Sequence, residues 1–73
     1  MTVRIFAFDT DYFFHSQELR ALKVEDGQIT VTLTNKDVLV LGHDHAREIA
    51  KDILEAIEKN EDMSFPIHSL KLN

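Results

Sequence analysis

Residues 44–59 read DHAREIAKDILEAIEK, and their spacing decides the fold. Apolar side chains fall at Ala46, Ile49, Ala50, Ile53, Leu54 and Ile57. Those are steps of three and four, one stripe of a 3.6-residue repeat. Arg47, Glu48, Lys51, Asp52, Glu55, Glu58 and Lys59 fill the other side. Asp44 is placed to cap the start, and Asn60 suits a left-handed stop. Burying Ile49, Ile53, Leu54 and Ile57 yields about 1.5–3 kcal/mol each at most. Ordering each helical residue costs about 1–2 kcal/mol of backbone entropy. Such a helix exists only against a surface, and the rest of the chain must supply one.

The strands upstream supply it. Leu19–Glu25 and Gln28–Thr34 flank Asp26-Gly27, a pair suited to a type I′ turn because both central residues take positive φ. The turn sets Val24 opposite Ile29, Leu22 opposite Val31 and Arg20 opposite Leu33. Leu22, Val24, Ile29, Val31 and Leu33 then share one face, with Thr30, Thr32 and Thr34 on the reverse. Asn35-Lys36 reads as a second two-residue turn into Asp37–Leu41. In that register Val38 and Val40 join the apolar face, and Leu39 and Leu41 fall on the reverse.

Val3–Phe8 is a strand, with Val3, Ile5 and Ala7 on one face and Arg4, Phe6 and Phe8 on the other. Both faces are largely apolar, which suggests cover on both sides. Tyr12–His15 reads as a short strand returning beside it, and Ser16-Gln17-Glu18 as a turn. A helix over Tyr12–Leu22 is the competing reading. Ile67–Leu72 reads as a last edge strand, since Pro66 fits only a strand start or an edge.

Length and composition bound the rest. Seventy-three residues make one domain with a thin core. There is no cysteine, hence no disulfide or thiolate site. The net charge of −5 argues against a nonspecific nucleic-acid partner. No apolar run is long enough to cross a bilayer, and the N-terminus shows no signal-peptide pattern. A cytoplasmic protein with no membrane partner is expected.

The stretch IFAFDTD at 5–11 ends a strand in paired aspartates. It resembles the first motif of haloacid-dehalogenase-like phosphatases, which implies Asp9 as nucleophile and Asp11 as its companion. That family also needs a parallel α/β domain and a later lysine and acidic pair around Mg²⁺. Here antiparallel hairpins follow in a short chain, and a polar turn is the reading the context supports.

His43-Asp44-His45 is the most suggestive triplet. Two imidazoles two residues apart suit Zn²⁺ or Ni²⁺, with a third ligand from His15, His68 or Asp11. The plain alternative is a capping aspartate between two surface histidines. Ser16, Ser64 and Ser69 lie in no nucleophile motif, and no glycine-rich loop cradles a phosphate. The early aromatics lack the interleaved basic residues of a base-stacking platform. Glu55, Glu58, Glu61 and Asp62 form a solvated acidic face, or a contact for a basic partner.

The expectation is therefore an α+β domain, an antiparallel sheet of four to six strands with one long helix on one face. Its likeness to small bacterial and phage proteins is architectural and carries no function. One helix covers one sheet face, leaving Leu39, Leu41, Leu19, Phe6 and Phe8 as interface residues. The functional expectation is a non-enzymatic interaction or accessory module, homo-oligomeric or bound to a protein partner, with no cofactor. The alternative is a metal- or small-ligand-binding protein using His43 and His45.

Overall fold

Seven strands and one helix follow the order β1 (Thr2–Ala7), β2 (Thr10–His15), β3 (Leu19–Glu25), β4 (Gln28–Leu33), β5 (Val38–Gly42), α1 (Ala46–Lys59), β6 (Met63–Pro66), β7 (Ser69–Leu72). A 3₁₀ turn at Ser16–Glu18 joins β2 to β3. This architecture comes from a computed structural model that describes all residues, Met1–Asn73. The α+β class is as expected, but the strands form two sheets rather than one. The first is ordered β2-β1-β6 and the second β3-β4-β5-β7.

The chain passes from one sheet to the other at the Ser16–Glu18 turn, and the segment after the helix adds one strand to each. Met63–Pro66, which carries no strand pattern of its own, pairs parallel to β1, with Val3 beside Met63 and Ile5 beside Phe65. The Ile67 N–H still donates to Phe6, 2.9 Å. One residue on, the His68 N–H donates to Gly42, 2.8 Å, and the chain has crossed to the second sheet. There β7 pairs antiparallel with β5. The expected single strand over Ile67–Leu72 is thus shortened to its last four residues, Ser69–Leu72.

Strands and helix termini follow local chemistry. The β3–β4 turn has Asp26 at φ 41 and Gly27 at φ 77, the expected type I′ pair. Val24 faces Ile29 and Leu22 faces Val31, as read from the sequence. Beyond them the ladder bulges at Arg20, so Leu19 rather than Arg20 lies opposite Leu33. α1 stops at Asn60, at φ 59 and ψ 46. The Asn60 N–H reaches Ile57 and the Glu61 N–H reaches Ala56, the double closure of a Schellman end. At the other end Asp44 does not cap. The helix opens at Ala46, after His45, with no side-chain cap bond.

The β4–β5 connection corrects the expected register. The Lys36 N–H donates to Leu33, 3.1 Å, and the Leu33 N–H to Asp37, 3.0 Å. The loop therefore holds three residues, Thr34–Lys36, and Lys36 takes φ 77 as its left-handed member. Ile29 now faces Leu41 and Val31 faces Leu39. A one-residue slip moves every side chain to the other face. Leu39 and Leu41, expected on the uncovered side, are 0% exposed.

The core lies between the inner faces of the two sheets and under α1, which packs on β3, β4 and β6. All its buried members are apolar. The helix turns Ala46, Ala50, Ile53 and Ala56 inward, three of them small, which lets its backbone approach closely. Leu54, expected in the stripe, is 49% exposed. The outer face of the second sheet carries Ala21, Lys23, Thr30, Thr32, Val38, Val40 and Lys71. That face is small, β-branched and charged, not the leucine surface expected of it.

Candidate functional site

The first sheet is covered on one side only. A two-residue turn, Phe8-Asp9, sets Ala7 opposite Thr10, Phe6 opposite Asp11 and Arg4 opposite Phe13. Strand alternation then sorts the side chains. Val3, Ile5, Tyr12 and Phe14 face the core, and Phe65 of β6 joins them. Arg4, Phe6, Asp11 and Phe13 lie together on the outer face, and Phe8 stands at the hairpin tip. The sequence reading expected cover on both faces. Instead Phe8 is 103% exposed and Phe13 is 59% exposed.

This outer face has its own internal order. The Arg4 guanidinium lies 4.2 Å from the Phe6 ring centre and 5.9 Å from that of Phe13. The same group donates to both Asp11 carboxylate oxygens, at 3.2 and 3.1 Å. Both partners of this ion pair are well exposed, so it adds at most about 1 kcal/mol to stability. Its effect is to hold Arg4 flat across the aromatics.

The backbone of β2 is also available. The Phe6 carbonyl accepts from Ile67, just past β6, so Phe6 turns its peptide groups away from β2. Phe6–Asp11 is therefore a non-hydrogen-bonded pair of the antiparallel ladder. The peptide groups of Asp11 and Phe13 then point out from the free edge of the sheet. His15 shares that parity, and its N–H is taken by the Glu18 carboxylate at 2.9 Å.

Of the five expected interface residues, Phe6 lies on this outer face, and Phe8, read as the end of the strand, lies in the turn at its tip because β1 stops at Ala7. Leu39 and Leu41 are core. Leu19 is half-buried against the core, turned inward by the bulge at Arg20. Arg4 and Phe13 were missing from that set. The parity of a two-residue turn after Ala7 places both beside Phe6.

Asp9 and Asp11, the pair that resembles a phosphatase motif, have local roles. Asp9 accepts from the Thr10 hydroxyl, 3.1 Å, and Asp11 holds Arg4. The strand that follows is antiparallel, not the next unit of a parallel α/β domain.

The histidines gather at the opposite junction. His43 stacks on His68 with ring centres 4.6 Å apart, and His45 lies 5.9 Å from His43. Asp44 sits 3.8 Å from His68 Nδ1. His43 and His68 meet because β5 and β7 pair antiparallel through their neighbours Gly42 and Ser69. His15 and Asp11, the other ligands considered, lie on β2. No group of three or more such side chains is placed to hold a metal ion. His43 Nδ1 accepts the His45 N–H at 2.8 Å, which puts the neutral ring's proton on Nε2. A metal at Nε2 needs the proton on Nδ1 and so breaks that bond.

Two clefts complete the surface. One of about 420 Å³ lies between the β3–β4 turn and the start of α1, edged by Asp26, Asp44, His45 and Glu48. The other, about 320 Å³, runs between α1 and β6 over Ile49, Ala56, Met63 and Phe65. Elsewhere, Tyr12 donates to Asp37 at 2.6 Å across the two sheets. Burial, and then the bond to the Asp37 carboxylate, hold the Tyr12 phenol above its ordinary value. No protein-family model, no curated protein and no solved structure matches this chain.

Proposed function

We propose that this chain is a small non-enzymatic interaction module, and that the outer face of the β1–β2 hairpin is its contact surface. One observation carries the reading. Phe8 lies wholly in water at the tip of a face that also presents Phe6 and Phe13 around a fixed arginine. A cluster of exposed aromatics with an arginine is the composition of a contact centre.

Covering Phe8 and Phe13 is worth about 3–6 kcal/mol from this side, and about twice that against an equally apolar face. Association costs about 4–15 kcal/mol in lost freedom. The contact is therefore weak and reversible. The test is a Phe8→Ser/Phe13→Ser variant. It keeps the native melting temperature, because neither ring is core, and it loses both self-association and retention of any protein that the native chain retains. A variant that associates just as the native chain does refutes the reading.

The alternative is a metal site at His43 and His45. The observation favouring it is the arrival of His68 beside His43. Calorimetric titration of chelator-treated protein with Zn²⁺ decides it. Stoichiometric binding abolished in both His43→Ala and His68→Ala supports it, and binding unchanged in either refutes it.

A further inference from the structure

Resting on the reading of the hairpin face as a contact surface, we infer that its partner is a second copy of this chain. The two copies join antiparallel through their β2 edges into one sheet of six strands.

The β2 edge leaves backbone groups unpaired. Asp11 and Phe13 each turn a backbone N–H and C=O outward, and no hydrogen bond from within the chain reaches them. An open edge of this kind is a template for another strand. The next outward N–H, that of His15, is closed by the Glu18 carboxylate. The open edge is thus short and bounded. Only one antiparallel register pairs all four free groups of each copy. Asp11 lies opposite the partner's Phe13, and the two-fold axis passes through Tyr12. An interface of this symmetry must be complementary to itself. Here it is, because the same residues supply both halves of every pair.

The side chains agree with this register. In it Arg4, Phe13 and the partner's Asp11 lie in one row across three strands. Arg4 already leans toward the Phe13 ring and toward its own Asp11. The patch carries one cation and one anion, so two copies meet without like charges opposed. The other free edges are less open. β6 ends in Pro66, which has no N–H, and β3 carries Arg20, Lys23 and Glu25. β7 carries Lys71 and has only four residues.

The experiment separates edge pairing from face contact. Asp11→Pro removes an outward N–H that β1 does not use, so the hairpin survives. Asp11→Ala removes the carboxylate and keeps the N–H. Sedimentation equilibrium on the native full chain is expected to show a monomer–dimer equilibrium. Asp11→Pro is expected to weaken it by about tenfold or more, through the loss of two intermolecular hydrogen bonds. Asp11→Ala is expected to weaken it less. Amide exchange gives a second readout that needs no variant. The Asp11 and Phe13 amides are expected to slow as concentration rises, while those on β3 and β7 do not.

A native chain that stays monomeric at about 1 mM overturns the inference. So does a dimer in which Asp11→Pro and Asp11→Ala behave alike, or one whose protected amides fall on another edge. Each of these outcomes is distinct from failure of the contact-surface reading, in which Phe8→Ser/Phe13→Ser loses nothing the native chain binds.

Discussion

Replacing Leu41 and then Val40 by alanine tests the register on which the core depends. Leu41 is 0% exposed, between the sheets, while Val40 is half-buried on the outer face. Truncating a fully buried leucine costs about 2–5 kcal/mol, the transfer loss plus the cavity left behind. Truncating Val40 removes two methyl groups already partly in water, and costs less than about 1 kcal/mol. A domain of this length has roughly 4–11 kcal/mol of total stability. Leu41→Ala therefore removes a large share of it. At about 4–8 °C per kcal/mol for a small domain, its melting temperature falls by at least about 8 °C. Val40→Ala falls by less than that. Urea unfolding followed by circular dichroism gives both values in one assay. A two-residue loop at Asn35-Lys36 would exchange the two faces and reverse the order. Val40→Ala costing as much as Leu41→Ala would refute the three-residue loop.

Three further predictions follow from single contacts. Lys36→Gly relieves a side chain at φ 77, worth about 1–2 kcal/mol, less about 0.4–1 kcal/mol of unfolded-chain entropy. It is expected to raise the urea midpoint, and Lys36→Val to lower it. Tyr12→Phe loses the bond to Asp37 and is expected to cost about 1 kcal/mol in urea unfolding. Its pH signature is alkaline. The folded-state pKa of Tyr12 lies above 10.0, so the folded state holds the phenolic proton more tightly than the unfolded one. That contribution is complete below pH 10 and is lost as pH rises through the folded value, so native and variant stabilities converge at high pH. Finally, a Cβ at Gly42 would clash with Ser69 Oγ. Gly42→Ala is expected to lower the melting temperature by a few degrees in the native background and by nothing in Ser69→Ala, a double-mutant cycle.

How much of this was legible in the sequence depended on how local each signal was. The helix, its Asn60 stop and the Asp26-Gly27 turn were readable because their chemistry is carried within a few residues. β2 was readable from its aromatics. β6 was not: Met63–Pro66 is a strand only because β1, sixty residues earlier, offers a parallel edge. The β4–β5 register failed on one residue. A left-handed position normally shows Gly or Asn, and Lys36 gives no such sign. The bulge at Arg20 is likewise invisible without its partner strand. Those two errors moved Leu19, Leu39 and Leu41 to the wrong side, and with them the expected contact surface. Phe6 stayed correctly placed because its parity depends only on a strand, whereas Phe8, read as the end of that strand, lies in the turn, since β1 stops at Ala7.

The location of the exposed aromatics then follows from how the core is closed. A 73-residue chain without cysteine must bury nearly every large apolar side chain to stand alone. This one closes its core by folding two sheets face to face and crossing between them at Ile67-His68, with α1 laid against both, yet it leaves Phe8, Phe13, Leu54 and Leu72 exposed. The second sheet's outer face can then be threonine, valine and lysine, which water tolerates. The first sheet follows the opposite rule. Its outer face holds Phe6 and Phe13, with Phe8 at the hairpin tip, although the core has no need of them there and solubility would be better served by threonine. A domain under this pressure gains nothing in its own stability from Phe8. On the proposed reading the aromatics of the hairpin meet a partner outside the fold, and the free backbone groups of Asp11 and Phe13 beside them supply direction as well as area.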